Sequence, residues 1–235
     1  MIARQQVAER MDSPGLPPAA HERALRGLRR INLVSRAVQP FLSRTLRLAR
    51  QSAAGGPVRV LDVACGGGDV SIALASAARR MGVTIELTLF DQSDVALAHA
   101  RALADREQHA VRTVRGDAVT EVPADGFDVV TCSLFLHHLN ADQVVTTLSH
   151  MRRAARQLVL VSDLRRSRLG LLAAQIGCHL LSRSDIVRFD GPASVRGAWT
   201  IDEMRDLSTR AGLSNATIAR QWPWRMFLEW GPHVR

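Results

Sequence analysis

The chain has 235 residues and a formal net charge of +9, and its 31 basic residues are all arginine, since lysine, like tyrosine, is absent. A chain this long forms one large domain, or one domain with an N-terminal extension, and buries roughly 70% of its unfolded surface without staples. Three distant cysteines (Cys65, Cys132, Cys178) exclude a disulfide framework and a zinc spacing. The opening run MIARQQVAER has no apolar signal core, and no apolar stretch approaches ~18 residues, so a cytoplasmic setting is the default and no transmembrane segment is expected.

In chain order, Met11 to Ala20 holds Pro14, Gly15, Pro17 and Pro18 and reads as a loop. A mostly helical region follows from about His21 to Ala53, with a break expected at Pro40. Its arginines alternate with Leu25, Leu28, Ile31 and Leu33, as on an amphipathic helix with a solvated basic face. Codon usage of a GC-rich genome accounts for the arginines; an anionic partner such as nucleic acid is the alternative. Against it, no aromatic residues interleave with them.

Beyond Pro57 the rhythm changes. Val58 to Val63, Val83 to Phe90, Val111 to Arg115, Phe127 to Cys132 and Gln157 to Ser162 read as strands. Asp69 to Met81, Ser93 to Glu107 and Ala141 to Ala155 read as the helices between them. This alternation implies right-handed crossovers and a parallel sheet covered on both faces. Leu169 to Leu181 is a strongly apolar helix, and Asp185 to Gly197 reads as irregular. Ile201 to Ala211 is a helix with a Thr200/Glu203 capping box. Asn215 to Trp222 and Arg225 to Trp230 form a closing hairpin around Pro223.

Chemistry concentrates at the strand ends. In VLDVACGGGDV, Val60 to Val70, a strand runs into glycines and then a helix, where the backbone turns tightly and a ligand can approach. Asp62 before the loop and Asp69 after it would repel a pyrophosphate; they suit a cationic ligand rich in donors, such as a sulfonium bearing an amino group. Asp91, ending the second strand, can accept hydrogen bonds from both hydroxyls of a ribose, or cap a helix. Asp117, in Gly116-Asp117-Ala118 after the third strand, can accept from an adenine amino group, or form a turn. Three acids at three successive strand ends carry more weight than any one of them.

With these residues the sequence resembles the class I S-adenosylmethionine-dependent methyltransferases. Asp62, Ala64, Gly66 and Gly68 match the family's acidic glycine loop, with alanine in place of its first glycine. Asp91 matches the ribose-binding acid, Asp117 and Ala118 the adenine pair, and Phe127 to Leu139 the strand-four motif. The small-molecule branch, including ubiquinone- and menaquinone-type and polyketide-associated enzymes, is the most similar. That group often has histidine where Phe189 stands, so any role of that histidine is absent here.

The resemblance implies a Rossmann-like, doubly wound, mostly parallel seven-stranded α/β sheet with a C-terminal antiparallel hairpin. It implies an N-terminal helical cap over 1–53, a methyltransferase domain over 54–235 and an acceptor-site insert at about 164–198. The cofactor is S-adenosylmethionine, expected at Asp62, Ala64, Cys65, Gly66, Gly68, Asp91, Gln92, Asp117, Ala118, Ser133 and Arg30, with Asn32 as a second candidate beside Arg30 for the methionine carboxylate.

Methyl transfer needs alignment and, for a phenol or acidic carbon, a base. His137 and His138 after strand four are the catalytic candidates, and no metal is expected. Asp163, ending strand five, orients the acceptor or pairs with Arg165 or Arg166. The apolar helix, with His179, roofs the acceptor pocket, or is plain core or a homodimer face. The expected partner is a small apolar acceptor, phenolic, quinone-like or polyketide-like. The alternatives are an RNA methyltransferase, supported only by charge, and a non-catalytic S-adenosylmethionine-binding partner protein.

Overall fold

A computed structural model describes residues 2–12, 15–51, 56–124 and 126–231. Pro14, and 52–55 at the end of the expected helical region, lie outside them. The chain runs α1 (Pro18–Val34), α2 (Gln39–Gln51), β1 (Val58–Val63), α3 (Asp69–Arg80), β2 (Ile85–Asp91), α4 (Asp94–Arg106), β3 (Val111–Arg115), β4 (Phe127–Ser133), α5 (Ala141–Ala154), β5 (Ala155–Leu164), α6 (Arg168–Leu181), α7 (Asp185–Gly197), α8 (Ile201–Arg210), β6 (Thr217–Gln221) and β7 (Arg225–Trp230). The seven strands form one sheet in the order β3-β2-β1-β4-β5-β7-β6, with β7 antiparallel to both its neighbours. The chain therefore has the expected Rossmann-like architecture. Among the described residues, no helix is long and apolar enough to cross a membrane.

Period-two alternation splits the strands between two cores. Leu61, Val130, Val159 and Leu228 face α5 and α8 through Leu148, Met151, Met204 and Leu207. Val60, Val129, Leu160 and Phe227 face α2, α3 and α4 through Phe41, Ile72, Leu97 and Leu103. A third, small cluster, Ala24, Cys178 and Val187, joins α1, α6 and α7.

Three local expectations change. The helical break precedes Pro40: Ser35 ends α1, Arg36 turns back at φ 49°, and Pro40 sits in the first turn of α2, where its missing N–H is not needed. Asp185 to Gly197 is helical, not irregular. Gly191 is there because α7 lies tight on α6, where a Cβ would run into Cys178 Sγ. Pro192 is buried and keeps a helical φ, at the loss of one backbone donor. The third change excludes α6 as plain core: Leu169, Leu172, Ile176 and Leu180 are exposed, so its apolar stripe faces outward, and His179 is exposed too.

Candidate functional site

The carboxyl ends of β1, β2 and β3 gather the first group. Ala64, Gly66 and Gly68 all take left-handed backbone, at φ 53°, 52° and 69°. A Cβ on Gly66 would meet nothing, so the loop is open above it, whereas one on Gly68 would press on Ile72 at 3.0 Å and Ala100 at 3.1 Å. Asp91 clamps the loop: one carboxylate oxygen accepts from Gly66 N–H at 2.8 Å and the other from Ser93 N–H at 2.9 Å. Ser93 caps α4 by accepting from Ala96 N–H. Asp117 Oδ1 accepts from Val119 N–H at 2.9 Å beside the buried Ala118.

Asp62 is buried and accepts from Thr131 Oγ1 at 2.8 Å. Burial pushes its carboxyl up to about 6, Asp69 and Asp91 push the same way, and hydrogen bonds from Ser71 and Thr131 oppose. Among the described residues no cation pairs with it. Cys65 and Cys132 are held as thiols by burial, so neither is a nucleophile. Gln92 is exposed, and its carbonyl accepts from Arg115. Ser133 closes β4 with a buried Oγ that has no partner.

Arg30 is exposed, but Asn32 turns inward. Its Nδ2 donates to Asp69 at 2.8 Å, and its Oδ1 accepts from Arg225 Nη2 at 2.7 Å. Burial raises the Asp69 carboxyl, with the Asn32 bond and the Arg225 charge opposing.

The second group lies past β4. His137 is buried in a 3-10 turn, and its Nδ1 is 2.6 Å from Asp163 Oδ1 while its backbone N–H donates to Asp163 Oδ2 at 3.1 Å. Its Nε2 is 3.5 Å from Glu9 Oε1. Burial works against the charged ring, but Asp163 and Glu9 outweigh it and push the imidazole up to about 10. Both carboxylates are held below their usual range, with His137 overriding the cost of burial. This corrects the reading of His137 as a base: at neutral pH it is an imidazolium with no lone pair to take a proton. It also corrects Asp163, whose partner is His137; Arg166 pairs instead with Glu203 at 2.7 Å. His138 is half-buried, with its ring centroid 4.2 Å from that of His137 and its Nε2 3.9 Å from Glu9 Oε1. Glu9, His137 and His138 place three donor atoms within 4.8 Å of one another, the spacing a metal ion would need.

An N-terminal strap closes this side. Arg4 donates to the carbonyls of Gly197 (2.7 Å), His137 (3.2 Å) and Leu139 (2.7 Å), and its guanidinium lies 3.7 Å from the Trp199 ring centre. Gln6 donates to His138 O, Ser194 donates to Glu9, and Asp190 accepts from the N–H groups of Arg10 and Met11.

Comparison with known proteins bears on the fold that carries these residues. Residues 60–157 match the family model of a methyltransferase domain. A curated relative, the ubiquinone biosynthesis O-methyltransferase of Pseudomonas putida, is 28% identical over 171 residues, 70% of this chain and 71% of the relative. Over these residues the chain is similar to S-adenosylmethionine-dependent methyltransferases of the class I fold. Two solved structures share its fold. Magnesium protoporphyrin IX methyltransferase of Synechocystis PCC 6803 with bound SAH aligns at TM-score 0.58 and 18% identity, over 94% of this chain and 90% of that one. The S-adenosylmethionine-dependent methyltransferase SibL in its apo form aligns at TM-score 0.61 and 22% identity, over 95% of this chain and 60% of that one, so this chain spans less than two thirds of SibL.

Within the matched fold the strand-end acids, Asp62, Asp91 and Asp117, fall on one rim with the glycine loop. Glu9, Arg4 and Arg225 went unnoticed in the sequence. Nothing in their spacing marks them, because each meets its partners only through the tertiary fold.

Proposed function

We propose that the protein transfers a methyl group from S-adenosylmethionine to the oxygen of a small, apolar, hydroxylated aromatic or quinol acceptor, without a metal. The observation that carries the reading is Asp62, a buried carboxylate without a cation, beside a loop left open at Gly66. These residues fit the cofactor. Asp62 would face its amino and sulfonium end, Asp91 its ribose, and Asp117 with Ala118 its adenine; Ala64, Cys65, Gly66, Gly68, Gln92 and Ser133 would line it. When bound, S-adenosylmethionine supplies an electrophilic methyl on sulfur. The chain's part is to align the acceptor oxygen, keep water out and accept the hydroxyl proton.

His138 suits that last task, being half-buried in the loop after β4 and flanked by Phe135. His137 is the positioning residue beneath it, fixed by Asp163. The O-methyltransferase relative and the apolar Leu134, Phe135 and Leu136 beside the histidines support a phenolic or quinol acceptor. The test is tritium transfer from S-adenosylmethionine to a panel of phenols and quinols, with and without EDTA. The expected outcome is EDTA-insensitive turnover that falls about 10²-fold in His138→Ala with cofactor affinity intact. Full activity in that variant removes the base, and EDTA inhibition reversed by magnesium, with Glu9, His137 and His138 as ligands, overturns the metal-free assignment.

A further inference from the structure

Arg225 opens β7 and is only 3% exposed. A guanidinium offers five donors, and burying one is costly unless its charge and its donors are met. Nη2 is met by Asn32 Oδ1 at 2.7 Å, but Nη1 is buried with no partner. Arg225 has no salt-bridge partner among the described residues; Asp163 and Asp69 act on it only through space, against the burial that weakens its hold on the proton. It lacks the anion that such a group requires.

The surroundings are short of partners in the same way. Ser133 Oγ and Gln221 Nε2 are also buried without partners. Sheet register places all three together. Ser133 pairs with Ser162, whose hydroxyl donates to Gln221 Oε1 at 2.8 Å, and Arg225 pairs with both Gln221 and Leu164. Paired residues, and residues two apart in a strand, share a face. The face that carries Asp62 and Thr131 therefore also carries Ser133, Ser162, Gln221 and Arg225. They stand where β4 and β5 end, which is the ligand side of an open α/β sheet. Asp163 and His137 lie across the sheet. Asn32 then links Arg225 to Asp69 at the foot of the glycine loop, so one chain of hydrogen bonds runs from the loop to β7.

We propose that Arg225 Nη1 receives a carboxylate oxygen of a bound ligand, with Ser133 and Gln221 as neighbouring donors, so that one sheet face holds a cation-seeking carboxylate, Asp62 on β1, and an anion-seeking arginine three strands away on β7. The proposal rests on the methyltransferase reading. The oxyanion has two sources: the methionine carboxylate of the cofactor, or an acidic group of the acceptor. An arginine serves either better than lysine would, because its planar fork binds two oxygens at once.

Calorimetry on the full chain separates the sources. The first arm compares S-adenosylmethionine with decarboxylated S-adenosylmethionine. The second compares 4-hydroxybenzoate with its neutral methyl ester on protein saturated with S-adenosylhomocysteine. Wild type should prefer the carboxylate by about 10-fold or more in one arm, and Arg225→Met should abolish the preference in that arm alone. Loss in the first arm assigns the cofactor carboxylate, and loss in the second assigns the acceptor. The wild-type comparison needs no variant, so the proposal stays testable if Arg225→Met does not fold. No carboxylate preference in either arm, or a preference that survives in folded Arg225→Met, overturns it. Absence of any S-adenosylmethionine binding instead takes down the reading beneath it, a result distinct from equal binding of the two cofactor forms.

Discussion

Asp62, near the end of β1, and Asp163, near the end of β5, are both buried aspartates on one sheet, yet they are displaced in opposite directions. Burial dominates Asp62 and raises it to about 6; for Asp163 the same burial is overridden by His137, and it stays ionised. The difference is whether the protein supplies the cation. Around Asp163 it does: His137 is an imidazolium, Glu9 takes its other nitrogen, and Arg4 ties the strap over the top. That region is complete in the folded chain. Around Asp62 the counter-charge is missing, the loop is open, and on the same face Ser133 Oγ and Arg225 Nη1 also lack partners. The first region behaves as structure, and the second as a site awaiting a ligand.

Breaking the complete region should cost the most. Asp163→Ala leaves the His137 charge facing Glu9 alone and removes the acceptor for two N–H groups. Losing one partner of a buried ion pair costs about 3–5 kcal/mol of folding stability. Urea unfolding at pH 7 measures it. A loss under about 1 kcal/mol would mean that the His137 site is not the completed pair described.

Breaking the open region should cost ligand affinity and not stability. A carboxyl raised in the folded state contributes stability that is present below its unfolded value, 3.8, and is lost as pH rises through about 6. Asp62 should thus make the free protein about 3 kcal/mol less stable at pH 7 than its protonated form would, at 1.36 kcal/mol per unit. Asp62→Asn should remove that slope between pH 4 and 6, leave the free protein as stable or more so at pH 7, and weaken S-adenosylmethionine binding. Asp163, lowered, has the opposite sign: its stability is present above the unfolded value and is lost on acidification. Denaturation curves across pH for both variants separate the two; parallel slopes would abolish the distinction. In the same region Asp91→Ala should lose about 2–4 kcal/mol of cofactor affinity, since charge-assisted bonds contribute roughly 1.5–3 kcal/mol each and do not add fully. An unchanged dissociation constant in that variant would leave Asp91 as a clamp on Gly66 and Ser93 alone.

The two regions also differ in how far they could be read from the chain. The cofactor rim is local: strand, glycines and helix follow one another from Val60 to Val70, and Asp91 and Asp117 close strands whose apolar runs are plain. The seven strands and most helices were legible for the same reason. The histidine region is not local. Glu9 lies 128 positions before His137, and Asp163 is on another strand, so a histidine pair that resembles a base in sequence becomes a buried cation only once both carboxylates are in place. Asp185 to Gly197 misled for a related reason. Gly191-Pro192 reads as a breaker until α6 is laid against it and the glycine proves to be the contact point. Arg225 is the hardest case, because its significance lies in an unpaired nitrogen, which no residue pattern encodes.

The smallest effect probes how much of the completeness depends on the strap. Glu9→Gln keeps the shape of the side chain and can still accept from Ser194, but it removes the second of the two negative charges on His137. Asp163, 2.6 Å from Nδ1, remains, so the imidazole should stay above its ordinary 6.5 while falling from about 10. A histidine raised in the folded state contributes stability that is fully present below 6.5 and is lost as pH rises through its folded value. The variant should therefore lose about 1.5 kcal/mol at pH 7, the low end for one hydrogen bond to a charged group. It should reach its alkaline loss at a lower pH than wild type, and the two curves should meet once the ring is neutral in both. Ring-carbon NMR titration of His137, paired with urea unfolding at pH 7 and pH 9, measures both quantities. A titration curve that does not move would remove Glu9 from the histidine site and leave Asp163 as its sole counter-charge. A collapse as large as that of Asp163→Ala would instead make the strap an equal partner in the pair.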